Sequence, residues 1–72
     1  MSKKLKIYFW VNGEKYYVLK KINLSMLIEY LGYSNLIFTL EYNQIICDKP
    51  HWNDIILSES DKIEIITIVG GG

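Results

Sequence analysis

Few residues in this chain have chemistry to offer, and they do not cluster. One cysteine, Cys47, and one histidine, His51, stand four positions apart. A structural zinc site takes about four such ligands, so no metal centre is expected. A single thiol also excludes an intramolecular disulfide. Cys47 reads as a buried strand residue, His51 as a surface loop residue, and Trp52 as a hydrophobic plug beneath that loop. Glu59 and Asp61 lie in a polar turn with nothing around them to form a pocket, so they read as turn residues and not as a catalytic pair. What remains is the run Gly70-Gly71-Gly72 and the carboxylate that ends it. Glycine lacks a Cβ, so this stretch reads as a thin, flexible tail able to enter a narrow cleft. Ordering three residues costs about 3–6 kcal/mol. A partner that threads the tail must offset that cost through contacts with the folded body.

The elements that would carry such a tail follow from periodicity. Leu5, Ile7, Phe9 and Val11 alternate with Lys4, Lys6, Tyr8 and Trp10, the period of a half-buried strand. Asn12-Gly13 then predicts a tight hairpin, because a type I′ turn needs positive φ at both central residues. Glu14 to Lys20 is the returning strand. Leu24, Leu27, Ile28 and Leu31 form one helical stripe, with Asn23 (or Ser25) as N-cap and Gly32 as the left-handed residue after the helix. Leu36 to Tyr42 reads as a strand with Phe38, Leu40 and Tyr42 on one side. Asn43-Gln44 is a turn, Ile45 to Cys47 a short strand, and Asp48 to Asn53 a loop or single helical turn around Pro50. After the apolar run Ile55–Leu57 comes the polar turn Ser58–Asp61, and Lys62 to Val69 forms the last strand. The fold class is therefore α+β, a mixed sheet of four or five strands on one short helix, with residues 1–69 as the domain and 70–72 as the tail. The first and last strands should lie side by side and parallel at the sheet centre. If Ile7, Phe9, Val11, Ile63 and Ile65 face the helix, then Tyr8, Trp10, Ile66 and Ile68 face away. They are expected to form one outer apolar patch that leads through Val69 to the tail, a surface for a partner.

Composition limits what the domain can do. Its 72 residues leave room for one small core, which a roomy enzyme pocket would deplete. Eight lysines balance eight acids, which argues against a general nucleic-acid binder. No apolar run is long enough to span a bilayer, so no membrane partner is expected. Lys3, Lys4 and Lys6 read as a solvated strand end. The first residues lack a signal-peptide core or a transit segment, which predicts a protein that stays, reduced, where it is made. Alanine and arginine are absent, while Ile, Lys, Asn and Tyr make up 31 of the 72 residues. That usage fits an AT-rich genome, such as a plastid or a low-GC bacterium.

The whole chain resembles the ThiS family, the ubiquitin-like β-grasp sulfur carriers of thiamine biosynthesis. The likeness rests on Val11-Asn12-Gly13-Glu14 in the first hairpin, the short capped helix, and Leu40-Glu41-Tyr42-Asn43-Gln44 at the strand-to-turn position. It continues through Trp52 in the following loop, Asp61-Lys62-Ile63 at the start of the last strand, and Val69-Gly70-Gly71-Gly72. Phe38 and Tyr42 are bulkier than the pattern, and Gly70 extends the usual glycine pair to three. The resemblance implies a carrier and not an enzyme, with no bound cofactor. An E1-like activating enzyme would use ATP to adenylate the Gly72 carboxylate. Sulfur from a persulfide donor, a cysteine desulfurase or similar, would replace AMP to give a thiocarboxylate. Thiazole synthase would then take the sulfur. Gly70, Gly71 and Gly72 would thread into partner active sites, Tyr8, Trp10, Ile66, Ile68 and Val69 would bind the partner's surface, and the free carrier would be a monomer in a bacterial cytoplasm or plastid stroma. Three alternatives stand beside this: a carrier for molybdopterin synthesis, a ubiquitin-like modifier, and a plain interaction domain with an inert tail.

Overall fold

The computed structural model describes residues 5–67. The expectations for Lys3, Lys4, Ile68, Val69 and Gly70–Gly72 lie outside them. Within that span the chain runs β1 (Ile7–Val11), β2 (Glu14–Val18), α1 (Leu24–Leu31), β3 (Phe38–Tyr42), β4 (Ile45–Ile46), a 3₁₀ turn (Lys49–Asp54) and β5 (Asp61–Thr67). The five strands form one sheet in the order β2-β1-β5-β3-β4. Strands β1 and β5 pair in parallel and the other neighbours are antiparallel, as the α1 crossover requires. The register of β5 against β3 is regular from Ile63 to Thr67, so Ile65-Ile66 makes no bulge.

Both hairpin turns use asparagine at positive φ. Asn12 and Gly13 sit at φ 50° and 83°, and Asn43 and Gln44 at 52° and 73°. Asparagine tolerates this left-handed region better than most side chains. Helix α1 begins where expected: Asn23 Oδ1 accepts from the Met26 N–H at 2.8 Å, and Ser25 does not cap. It ends at Gly32, φ 84°, where the Gly32 N–H donates to the Glu29 carbonyl and the Tyr33 N–H to that of Ile28. The residues before α1 are tied to the Ile55–Leu57 run by paired backbone bonds, Leu24 N–H to Ile55 C=O and Leu57 N–H to Ile22 C=O. That apolar run thus anchors the helix start instead of forming a strand of the sheet.

One face of the sheet packs on α1. Phe9, Leu24, Leu27, Leu40, Leu57 and Ile63 are fully buried, with Val11, Ile28, Trp52 and Ile65 around them. Trp52 stacks on Phe38 at 5.4 Å between ring centroids, and Tyr33 meets the same ring edge-on at 5.8 Å. The indole N–H donates to the Cys47 carbonyl at 2.9 Å, so the plug keeps its polar atom satisfied. The bulk of Phe38 is absorbed by this aromatic stack.

Candidate functional site

The tail continues from β5, so the site is built from whatever holds and surrounds that strand. Strand β5 is central, with β1 on one side and β3 on the other. Its residues alternate: Asp61, Ile63 and Ile65 are buried, while Lys62, Glu64 and Ile66 are exposed. Strand β1 turns away after Val11, which pairs with Ile63, and this would leave the far half of β5 supported on one side only. The side chain of Asn12 fills the gap. Its Oδ1 accepts from the Ile65 N–H at 2.7 Å and its Nδ2 donates to the Ile65 carbonyl at 3.3 Å, while its own N–H donates to the Ile63 carbonyl at 2.9 Å. An asparagine amide has the same donor and acceptor as a peptide unit, so Asn12 extends the ladder two residues past the end of β1.

Asn43 does the same at the start of β5. Its N–H donates to the Lys62 carbonyl and its Oδ1 accepts from the Lys62 N–H, both at 2.8 Å, and its Nδ2 donates to Asp61 Oδ1 at 3.1 Å. Asp61 is buried and fully engaged: Oδ2 also accepts from the Tyr42 hydroxyl and from the Ser58 N–H, each at 2.7 Å. Burial, followed by the Asp61 hydrogen bond and charge, pushes the Tyr42 phenol up from 10.0 to about 12. The extra bulk of Tyr42 thus carries the hydroxyl that locks Asp61. Asp61 is more than a turn residue, and with three donors on its carboxylate it is spent on structure. Glu59 is separate from it, accepting from the Tyr8 N–H at 2.9 Å.

The outer face of the sheet carries the residues expected to meet a partner. Tyr8 and Trp10 are half-buried on β1. Lys15 Nζ lies 4.5 Å from the Tyr8 ring centroid and 5.6 Å from that of Trp10, and Tyr17 tilts against Tyr8 at 5.7 Å. Ile66 is on the same face but not beside them. Trp10 pairs with Lys62, and Ile66 lies four residues further along β5, roughly 13 Å away at 3.3 Å per residue. A shallow hollow lined by Trp10, Gly13, Lys62 and Glu64 lies in between. The described residues therefore form two patches and not one: Tyr8 and Trp10 along β1, level with the start of β5, and Ile66 near the end of β5. Ile68 and Val69 lie outside the described residues.

Ile66 has companions that the sequence reading passed over. It pairs with Thr39, and Ile37, two residues before Thr39, lies diagonally across from it. Ile46 of β4 pairs with Glu41, two strands over from Ile66, and with Ile37 it also borders the groove beside Phe38 and Trp52. Ile37, Ile46 and Ile66 are all exposed, Ile37 to 78%. The signal was available: alternation that turns Phe38 and Leu40 towards the core must turn Ile37 out. Beside this aliphatic patch, Glu41 and Glu64 stand directly opposite one another. Like charges in such a pair are unfavourable unless a cation joins them.

The remaining candidates stand apart from this face. His51 is exposed in the 3₁₀ turn. Cys47 is half-buried just after β4 and not within a strand, on the wall of a groove beside Phe38, Ile46 and Trp52. Burial, with Asp48 next to it, holds its thiol above the usual range, which disfavours the nucleophilic thiolate. Among the described residues no three His, Cys, Asp or Glu side chains gather as metal ligands, and no helix is long and apolar enough to cross a membrane.

The model of the ThiS family matches residues 9–72, from the first strand through the last glycine. This chain belongs to the ThiS family. Three relatives, each called uncharacterized protein ycf40, align over most of both chains. The protein from Trieres chinensis is 48% identical, covering 89% of this chain and 88% of its own. That from Pyropia yezoensis is 37% identical and that from Porphyra purpurea 32%, each covering 86% of this chain and 87% of its own. In fold, the chain is similar to the crystal structure of a thiamine biosynthesis protein, ThiS, from Geobacter metallireducens. The TM-score is 0.77 at 22% identity, over 92% of this chain and all of that one. The ubiquitin-like β-grasp architecture is thereby established, and ThiS-family membership makes the chain a ubiquitin-like sulfur carrier and not an enzyme.

Proposed function

We propose that this chain carries sulfur on its Gly72 carboxylate for thiazole synthesis in thiamine biosynthesis. An E1-like enzyme transfers AMP from ATP to the carboxylate, releasing pyrophosphate. The terminal sulfur of a persulfide then attacks the acyl carbon and AMP departs. A second thiol cleaves the S–S bond that results, leaving a thiocarboxylate, and thiazole synthase accepts that sulfur. The carrier contributes a reachable carboxylate, a rigid strand behind it and a surface that the partners recognise. The single observation that carries the reading is the family match running through Gly70-Gly71-Gly72. The clamping of β5 by Asn12 and Asn43 supports it, because a strand fixed up to Ile65 gives the glycines a defined starting point.

Tail threading draws its compensating energy from the outer face. Ile37, Ile46 and Ile66 supply apolar area near the end of β5, and the Glu41–Glu64 pair favours a partner that brings a lysine or arginine. The ycf40 name of the relatives and the AT-rich residue usage support a plastid as the compartment. Reconstitution tests the reading. With the activating enzyme, ATP, a persulfide donor and thiazole synthase, the intact chain supports thiazole formation. The chain lacking Gly72, or bearing one residue after it, supports none while melting at the same temperature. Thiazole formation by the truncated chain would overturn the reading.

A further inference from the structure

Between β2 and α1 lies an open groove of about 550 Å³ that the sulfur-carrier reading does not use. Phe9 and Leu27 form its floor, and Tyr16, Val18, Met26 and Tyr30 its walls. It exists because α1 turns Leu24, Leu27 and Ile28 to the core and leaves Met26 and Tyr30, one turn apart, on the flank towards β2. For a domain with so thin a core, the apolar exposure is large: 81% for Tyr30, 56% for Leu19 and 44% for Met26.

Two independent features narrow what fits there. The first is hydrogen bonding. Strand β2 is an edge strand. The two-residue Asn12-Gly13 turn makes Val11–Glu14 a bonded pair, so Phe9–Tyr16 and Ile7–Val18 are bonded as well. Lys15 and Tyr17 then turn their N–H and C=O groups outward. Edges are commonly blunted by proline, a bulge or a covering element, and among the described residues β2 has none of these. Its lysine, Lys15, lies across Tyr8 and Trp10 on the outer face. The second feature is charge. Six of the eight lysines fall within residues 1–21 with Glu14 as the one acid, and seven of the eight acids fall after them. Among the described residues, Lys20 is the charged residue lining the groove and no carboxylate lines it; Lys21 follows Lys20.

We propose that this groove binds an extended, apolar segment of a partner protein flanked by aspartate or glutamate, which adds to β2 as a sixth strand. Alternate side chains of the segment enter between β2 and α1, and its carboxylates lie beside Lys20 and Lys21. A second copy of this chain fits less well, because it would set one lysine-rich hairpin against another. Lys20 is at the opposite end of the sheet from the end of β5, so the segment can bind while the tail is engaged elsewhere.

The test uses the full chain and an array of nine-residue peptides. Each peptide has four consecutive Val, Ile or Leu residues flanked by Asp and Glu, or by Lys as the control. Acid-flanked peptides are expected to bind about tenfold or more tighter than their lysine-flanked counterparts, with amide shifts confined to Lys15–Leu19 and Met26–Tyr30. Tyr17→Pro removes an outward donor and no ladder bond, so it weakens binding about tenfold while the melting temperature holds. Should that variant fail to fold, Met26→Glu at the groove wall serves in its place with the same expected loss. Lys20→Glu reverses the flank preference. The proposal is overturned if no acid-flanked peptide binds, or if peptides bind the variants as they bind the parent. It is equally overturned if the chain alone forms a dimer through β2, which would give the groove to a second copy.

Discussion

Replacing Asn12 by glycine isolates the contact that extends the ladder along β5. Glycine accepts φ 50° without strain, so the turn itself survives. Two hydrogen bonds to Ile65 are lost, at 2.7 and 3.3 Å. Each is worth about 0.5–1.5 kcal/mol net, and the shorter one leaves a part-buried N–H without its acceptor. Extra backbone freedom in a Gly-Gly turn adds a few tenths of a kcal/mol. The expected loss is about 2 kcal/mol, a large part of the stability of so small a domain. For a chain of this size that lowers the melting temperature by about 10 °C. Thermal unfolding followed by circular dichroism measures it, and amide exchange localises it: Ile65 should lose protection more than Phe9 does. Asn12→Asp, which keeps the acceptor and loses the donor, should fall between the two. A glycine variant within about 0.5 kcal/mol of the parent, with Ile65 still protected, would refute the idea that this side chain substitutes for a strand.

Three further outcomes are expected. Because the folded phenol of Tyr42 titrates at about 12 against 10.0 when unfolded, its contribution is complete below pH 10 and is lost as the pH rises towards 12. The undamped value approaches 3 kcal/mol, but the ring is partly in solvent and screening leaves about 1 kcal/mol. Denaturant midpoints at pH 9 and 11.5 should therefore converge in Tyr42→Phe relative to the parent, and equal slopes in both would count against it. Trp52→Ala removes the plug stacked on Phe38 and should cost about 3–5 kcal/mol, enough to leave the chain largely unfolded by circular dichroism at 25 °C. Ile37→Asp and Ile66→Asp, both at exposed positions, should leave the melting temperature within a few degrees while weakening capture by the activating enzyme about tenfold or more, as read by surface plasmon resonance. Unchanged capture would remove that residue from the interface.

The fold was legible where one local rule dominates. Asn12-Gly13, the Leu24–Leu31 stripe between Asn23 and Gly32, and the alternation of Ile63 and Ile65 each had a single physical reading, and the structure follows it. What stayed hidden depended on register. That Trp10 pairs with Lys62, and so stands well back from Ile66, follows from how far β1 and β5 are offset, which no periodicity encodes. The second role of Asn12 and Asn43 was concealed behind the first, because a turn residue already explains an asparagine before glycine or glutamine. Asp61 looked like one more polar turn residue until Tyr42, nineteen positions earlier, was seen to bond to it. The groove beside β2 was invisible for a related reason. A short helix of known stripe says which side chains go inward, but not how much of the sheet it leaves uncovered.

Everything proposed about sulfur rests on the chemistry of one carboxylate. The chain should be incubated with a matched activating enzyme, ATP and a persulfide source, then analysed intact and as C-terminal peptides by high-resolution mass spectrometry. Replacement of one oxygen by one sulfur, confined to the peptide that ends in Gly72, is the predicted result. Oxidation of Met1, Met26 or Cys47 gives nearly the same mass change, so the position of the change decides the matter. An unmodified Gly72 peptide in the presence of a demonstrably active enzyme would contradict the carrier reading.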